Sequence, residues 1–290
     1  MIYRRRASPL HAARAAAALA WFAALALALL TQSNPVVLGA LTLALLGAGA
    51  LAGVWSGLRR ALWLAAPLAV TICVINALVT RDGLTVIWRL GEVPILGQTN
   101  ITLEATVYGA ILGLRAAGLV LLGALYSLAV DPDQVLRLFR RVSFRSALTA
   151  TIATRMVPVL VRDSRRLAEA QRCRPGAAPN RVALMRATTA GMLDRALDVA
   201  AALEVRGYGA ARRAPRPAGR GRAWSRHDLA FTAAAGMLAA LAVLARVAGW
   251  APLVAYPSLR APAGGGVAAV ACACAALVLG PFADRRGVQP

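Results

Sequence analysis

Apolar residues gather into six long blocks along the chain, at roughly 12–31, 36–55, 61–80, 104–129, 228–248 and 265–283. Each reaches the ~20 residues that a helix needs to cross a bilayer. Between the fourth and fifth blocks the pattern changes. From Asp131 to Arg226 charged residues recur, and apolar ones fall at helical spacing instead of in runs. Leu148, Ile152, Met156, Val159, Leu160 and Leu167 form one stripe; Leu184, Thr188, Met192, Leu193, Ala196, Leu197 and Ala200 form another. The pattern predicts an all-α, polytopic membrane protein of about six spans. Four spans occupy 1–130, amphipathic helices 131–210, an Arg-, Pro- and Gly-rich linker 211–226, and two further spans 227–290.

Turn and cap residues mark the boundaries. Asn34-Pro35 predicts a tight turn into the second span. Asp131, then Pro132 at a first helical position and Asp133 near the positive end, begin a short helix that Arg140 and Arg141 close. A second helix is predicted over 146–174, kinked at Pro158 and ended by Pro175-Gly176. Asn180 caps a third helix, which stops at Gly207. Gly83, Gly91, Pro94 and Gly97 make 81–103 a loop, with room for a short strand or interfacial piece at Leu84–Leu90. Gly49, Gly53 and Gly57 in the second span, and Gly109 and Gly113 in the fourth, predict close helix–helix contact.

Charge orients this arrangement. All 33 basic residues are arginine. With the N-terminus inside, 28 of them fall on the cytoplasmic side and only Arg81, Arg89 and Arg260 on the other. That asymmetry satisfies the positive-inside rule and puts both termini in the cytoplasm of a multi-pass inner-membrane protein. The same rule accounts for the net charge of +21 without nucleic acid. The first apolar block is too long for a signal peptide, and no small-residue cleavage site follows it.

Candidate chemistry is sparse. Without lysine the chain has no nucleotide-binding P-loop. Cys272-Ala-Cys274 is not a zinc spacing, so neither a metal site nor a cofactor is expected. No acidic residue lies deep in a span, Glu104 reaching only an edge, and His11 and His227 sit at span boundaries. An ion-coupled carrier would need intramembrane carboxylates or histidines. Arg115 in the fourth span is the exception, serving a contact within the bundle, snorkelling, or pairing with a backbone carbonyl.

Two segments stand out: Glu169–Gly176, with Arg172 and Arg174, and Leu203–Gly209, with Glu204, Arg206 and Gly207. Each brings arginine to a helix end beside a breaker. Favourable interaction with the helix dipole explains either one alone. Their pairing on one side of the membrane points to interface contacts, for which the forked guanidinium is suited.

At these residues the chain resembles a family, the transmembrane (T) component of energy-coupling-factor (ECF) transporters, the CbiQ/EcfT cobalt-transport group. The likeness runs over roughly 12–209 and is strongest in Ile101–Arg115, Val130–Arg141, Arg155–Pro158 and the two arginine segments. The family's two Ala-Arg-Gly-like motifs correspond to Cys173-Arg174-Pro175 and Val205-Arg206-Gly207. The first departs from the pattern, leaving either Arg172 or Arg174 for its role. The resemblance implies a non-catalytic coupling subunit. Its partners would be two cytoplasmic ABC-type ATPases and a small membrane protein that binds a vitamin or transition-metal ion.

Two rivals belong to other classes. A stand-alone secondary transporter lacks support from ionisable groups in the spans. A lipid-modifying enzyme would need clustered carboxylates or a nucleophile–base pair. Asp131-Pro132-Asp133 is the only tight acidic pair, and its helix-start role explains it.

Overall fold

The computed structural model describes residues 6–79, 85–93, 97–139, 144–173, 180–207, 224–250 and 265–284. The chain divides into two units, Met1–Gln134 with Ala223–Pro290, and Val135–Arg222. The first holds six apolar helices: α2 (Ala15–Thr31), α3 (Pro35–Leu51), α4 (Trp55–Val79), α5 (Leu103–Ala129), α9 (Arg226–Val247) and α10 (Gly265–Leu279), the last extended by a 3-10 turn at Gly280–Phe282. A short α1 (Pro9–Ala12) precedes them, and α6 (Pro132–Phe139) follows α5. Four helical stretches, those at α4, α5, α9 and α10 with its 3-10 turn, are long and apolar enough to cross a membrane. With 17 residues each, α2 and α3 rise only about 25 Å, at the lower limit for a span. The protein is an all-α, polytopic membrane protein.

Within this unit α2 packs on α9, α3 on α10, and α4 on α5, and α5 also touches α2 and α3. An aromatic cluster joins them. Fully buried Trp21 meets Phe22, Phe231 and Phe282 edge-on at 5.1, 5.6 and 6.0 Å between ring centres, and Phe22 meets Tyr126 at 5.5 Å. Such pairs hold ring quadrupoles in favourable register while filling core volume. On the outer surfaces large apolar side chains stay open, among them Leu43, Trp63 and Leu64 at 70–77% exposure. A helix apolar all round suits lipid on one side and protein on the other.

Gly109 and Gly113 do let two backbones approach, and the neighbour is in this chain. A Cβ on Gly109 would stand 2.8 Å from the Cys73 carbonyl oxygen, and one on Gly113 2.6 Å from that of Ala69, both on α4. The second span departs from the expected 36–55. It ends at Leu51, and Gly53 turns the chain with φ +73°. Gly57 already belongs to α4, which starts at Trp55, ahead of the expected residue 61, and takes in Arg59 and Arg60. The regular spacing of Gly49, Gly53 and Gly57 therefore spans a helix, a turn and a second helix, not one helix face. A left-handed turn is one use of glycine that spacing does not reveal.

The first span is shorter too, because residues 13–14 are extended and α2 starts at Ala15. Asp228 holds this break. Its Oδ1 accepts from the Arg14 backbone N–H at 2.7 Å, and Arg14 Nε lies 3.3 Å from Oδ2. The same carboxylate accepts from the Ser225 N–H at 2.9 Å and closes a capping box at the start of α9. At the expected Asn34-Pro35 turn, Asn34 also caps α3, accepting from the Val36 N–H at 3.0 Å, with Pro35 at the first turn. The 81–103 segment carries a two-stranded antiparallel hairpin, β1 (Val86–Val93) with β2 (Gly97–Thr102). Thr102 then caps α5, its hydroxyl accepting from the Ala105 N–H at 3.3 Å.

Candidate coupling helices

The second unit is built on two long helices, α7 (Phe144–Arg172) and α8 (Arg181–Val205), which pack on each other. The stripe expected on α7 is the face it turns inward. Leu148, Ile152, Met156, Val159, Leu160 and Leu167 are half-buried, whereas Val157, Val161, Arg162, Arg165 and Arg166 are exposed. On α8 the half-buried positions are Leu184, Thr188, Arg195, Val199 and Leu203, so Met192, Leu193, Ala196, Leu197 and Ala200 of the expected stripe are open to solvent. The expected residues cover a wider arc of α8 than one neighbour can bury. The start of α8 is capped as its sequence suggested: Asn180 Oδ1 accepts from the N–H groups of Val182 and Ala183, at 2.9 and 3.3 Å.

The two helices are tied at mid-length. Arg195 Nη1 donates to Asp163 Oδ2 at 2.7 Å. Beside this bridge lies a cleft of about 320 Å³, lined chiefly by Leu160, Arg166, Leu167, Gly191 and Met192. The Arg195 hydrogen bond holds the Asp163 carboxyl below the usual carboxylate range; desolvation opposes it, and the charges of Arg195, Arg166 and Arg162 add to it. Sequence reasoning did not single out this pair. The available signal was an acid standing at helical spacing inside an apolar stripe, between Val159-Leu160 and Leu167.

The singled-out arginines lie beyond the bridge. Arg172 is exposed in the last turn of α7. Arg174, Pro175 and Gly176, like Arg140 and Arg141, fall outside the described residues. Arg206 is the exposed C-cap of α8, and Gly207 follows with φ +76°, its N–H donating to the Glu204 carbonyl at 2.8 Å. A left-handed residue after the cap is how many helices end. Glu204 is exposed as well. Measured along the helix axes, Arg172 lies about 14 Å past Asp163 and Arg206 about 16 Å past Arg195. Among the described interactions, none joins Arg172 to Arg206. Pro158 sits inside α7, its carbonyl accepting from Arg162 Nε at 3.3 Å. In α6, Asp131 Oδ1 accepts from the Asp133 N–H at 3.0 Å ahead of Pro132.

In the membrane unit, Arg115 takes the backbone-carbonyl role. Its Nη2 donates at 2.7 Å to the carbonyl of Gln32, the residue that caps the end of α2. A cation at a helix C-terminus meets the negative end of the dipole. Gln32, itself buried, donates through Nε2 to the Ala242 carbonyl on α9 at 3.3 Å. Three helices are thus joined through one polar layer. Among the described residues, Arg115 Nε is buried without a hydrogen-bond partner.

No curated protein matches the chain closely. The model of one family, described as the cobalt transport protein CbiQ, matches residues 6–216, which run from just before α1 to beyond the end of α8. That match covers most of the chain and brings the membrane helices α2–α5 and the α7–α8 pair under one description. The protein is therefore a membrane transport component, and the chain belongs to the CbiQ family of cobalt transport proteins.

Proposed function

We propose that the chain is the coupling subunit of an ECF-type importer. It joins two cytoplasmic ATPases to a separate small membrane protein that binds the solute, a vitamin or a transition-metal ion. The chain itself is non-catalytic, and ATP is hydrolysed by its partners. The observation that carries this reading is the α7–α8 pair, bridged at mid-length and ending on α8 in exposed Arg206 and left-handed Gly207. A bridged pair of helices moves as one lever, and an exposed guanidinium at its tip suits forked contacts with carboxylates or carbonyls. Arg172 or Arg174 does the same work for α7. The positive-inside rule sets α7 and α8 on the cytoplasmic side of the inner membrane, where ATPases would meet them.

Charge reversal tests this by magnitude. A helix-end dipole interaction is worth about 0.3–1 kcal/mol, whereas removing one partner of a desolvated charged contact costs about 2–5 kcal/mol. Arg206→Glu, and one of Arg172→Glu or Arg174→Glu, should insert normally yet lose ATPase co-purification and solute uptake. Arg212→Glu should behave as wild type. Full ATPase binding and uptake by all the helix-end variants at normal expression would sink the proposal. The orientation has its own check in exposed Cys173. A membrane-impermeant thiol reagent should label it in inverted vesicles and not in intact cells.

A further inference from the structure

The arginines at the inner ends of the spans are not all neutralised. Arg14 pairs with Asp228 at 3.3 Å, and Arg226 with Asp284 at 3.9 Å. Arg6 donates to the Gly53 carbonyl, at the turn before α4. Arg59 and Arg60, in the second turn of α4, are exposed, and among the described residues no carboxylate pairs with either. Unbalanced positive charge therefore gathers where α4 enters the membrane.

The two arginines have particular neighbours. At about 100° per residue, Trp55, Arg59, Trp63, Ser56 and Arg60 share an arc of about 140°. Buried Leu58, Ala61 and Ala65 fall outside it, on the side turned to the bundle. Arg59 stands one turn past Trp55 and one turn before Trp63, and those rings are 45 and 77% exposed. Further along the same open face come Ala66, Pro67, Val70 and Val74, with no charge among them. Of the four candidate spans α4 is the least buried. Indoles favour the boundary between headgroups and acyl chains. Forked guanidiniums favour phosphate oxygens, and the apolar track beyond them suits an acyl chain. A protein partner would have to bury both charges against acids of its own, whereas a lipid phosphate meets them at the water's edge.

We infer that the open face of the first turns of α4 binds an anionic phospholipid of the inner leaflet. Arg59 and Arg60 hold its phosphate, Trp55 and Trp63 bracket the headgroup boundary, and an acyl chain lies along Ala66, Val70 and Val74. The positive-inside rule sets this end of α4 in the inner leaflet, where anionic lipid draws basic side chains. Arg6 adds positive potential from the neighbouring turn. This inference is independent of the ATPase assignment.

The test purifies the full chain in mild detergent, offers it equal phosphatidylglycerol and phosphatidylcholine, and weighs it intact by native mass spectrometry. The wild type should keep phosphatidylglycerol in clear preference. Arg59→Gln with Arg60→Gln should lower that retention at least about tenfold. Arg212→Gln with Arg213→Gln, an equal loss of charge in the linker, should leave it unchanged. Equal retention of the two lipids, unchanged retention in the α4 variant, or an equal fall in the linker variant would each overturn the proposal. A second arm does not depend on the double variant folding. The chain, with its four cysteines replaced, carries a benzophenone on Trp63→Cys and is irradiated in native membranes. It should gain the mass of an anionic phospholipid. Attachment to zwitterionic lipid alone, or to a second protein chain, would also overturn the inference.

Discussion

Asp163 on α7 accepts a 2.7 Å hydrogen bond from Arg195 on α8, and this bridge ties the two helices at mid-length. Both side chains are part-exposed, at 31 and 40% of their surface, so water screens the pair and its contribution is modest. Its pH dependence has a definite sign. The folded-state carboxyl titrates below its ordinary value, so the bridge contributes fully above the unfolded-state pKa. It is lost as pH falls through the lower, folded value. Distances between spin labels on α7 and α8 should therefore stay constant from neutral pH down to about 4 and broaden only below it. Asp163→Asn should show the broadened distribution at neutral pH, and the exchange Asp163→Arg with Arg195→Asp should narrow it again. Broadening that begins near pH 6 would contradict this assignment.

Gly113 makes the α4–α5 contact a steric matter. An added Cβ would sit 2.6 Å from the Ala69 carbonyl oxygen, which is backbone and cannot swing aside. Gly113→Ala should cost about 1–3 kcal/mol and lower the unfolding midpoint in detergent. Gly123→Ala, on the same helix, meets nothing within 4 Å and should be neutral or slightly stabilising. Equal midpoints for the two variants would refute the packing argument.

Asp228 joins the start of α9 to the break before α2 by three contacts while only 2% exposed. Asp228→Ala should destabilise the membrane unit by about 3 kcal/mol, because the polar groups around it lose their acceptor. Swapping charge with Arg14→Asp and Asp228→Arg should not restore stability. The Arg14 and Ser225 N–H groups would still lack an acceptor, whatever the sign of the residue 14 side chain. Full rescue by that swap, measured by thermal unfolding, would show that the ion pair alone matters.

Gly207 faces open space, so its constraint is conformational. A non-glycine residue at φ +76° costs about 1–2 kcal/mol without any clash. Gly207→Asn should keep most of the uptake of the complete transporter, and Gly207→Val should lose most of it. If both retained wild-type uptake, the left-handed end of α8 would have no part in transport.

Much of the fold was legible because membrane helices announce themselves in long apolar runs, and signals such as the Asn34-Pro35 turn and the Asn180 cap act through immediate neighbours. The inward stripe of α7 followed from spacing, since one helix face meets one partner. Long-range polar pairing was not legible. Nothing local in the sequence tells Arg14 that Asp228 waits 214 positions away, so the first apolar block read as one continuous helix. Gly53 misled for a related reason, because its left-handed turn and a packing glycine look alike at regular spacing. The Arg206–Gly207 end was readable, being a local motif.

The short α2–α3 pair has a consequence for the surrounding lipid. Those helices rise about 25 Å, while α4 and α5, with 25 and 27 residues, rise about 38–40 Å. The Arg115–Gln32 bond fixes the end of α2 beside the middle of α5, so neither pair can slide to even out the difference. The first turns of α4 carry Arg59 and Arg60, so part of its extra length belongs at the headgroups and not in hydrocarbon. What difference remains from the short helices is met by tilt or by local thinning of the bilayer, at a cost set by each ångström of mismatch. Bilayers of longer acyl chains should therefore strain α2 and α3 before they strain α4 and α5.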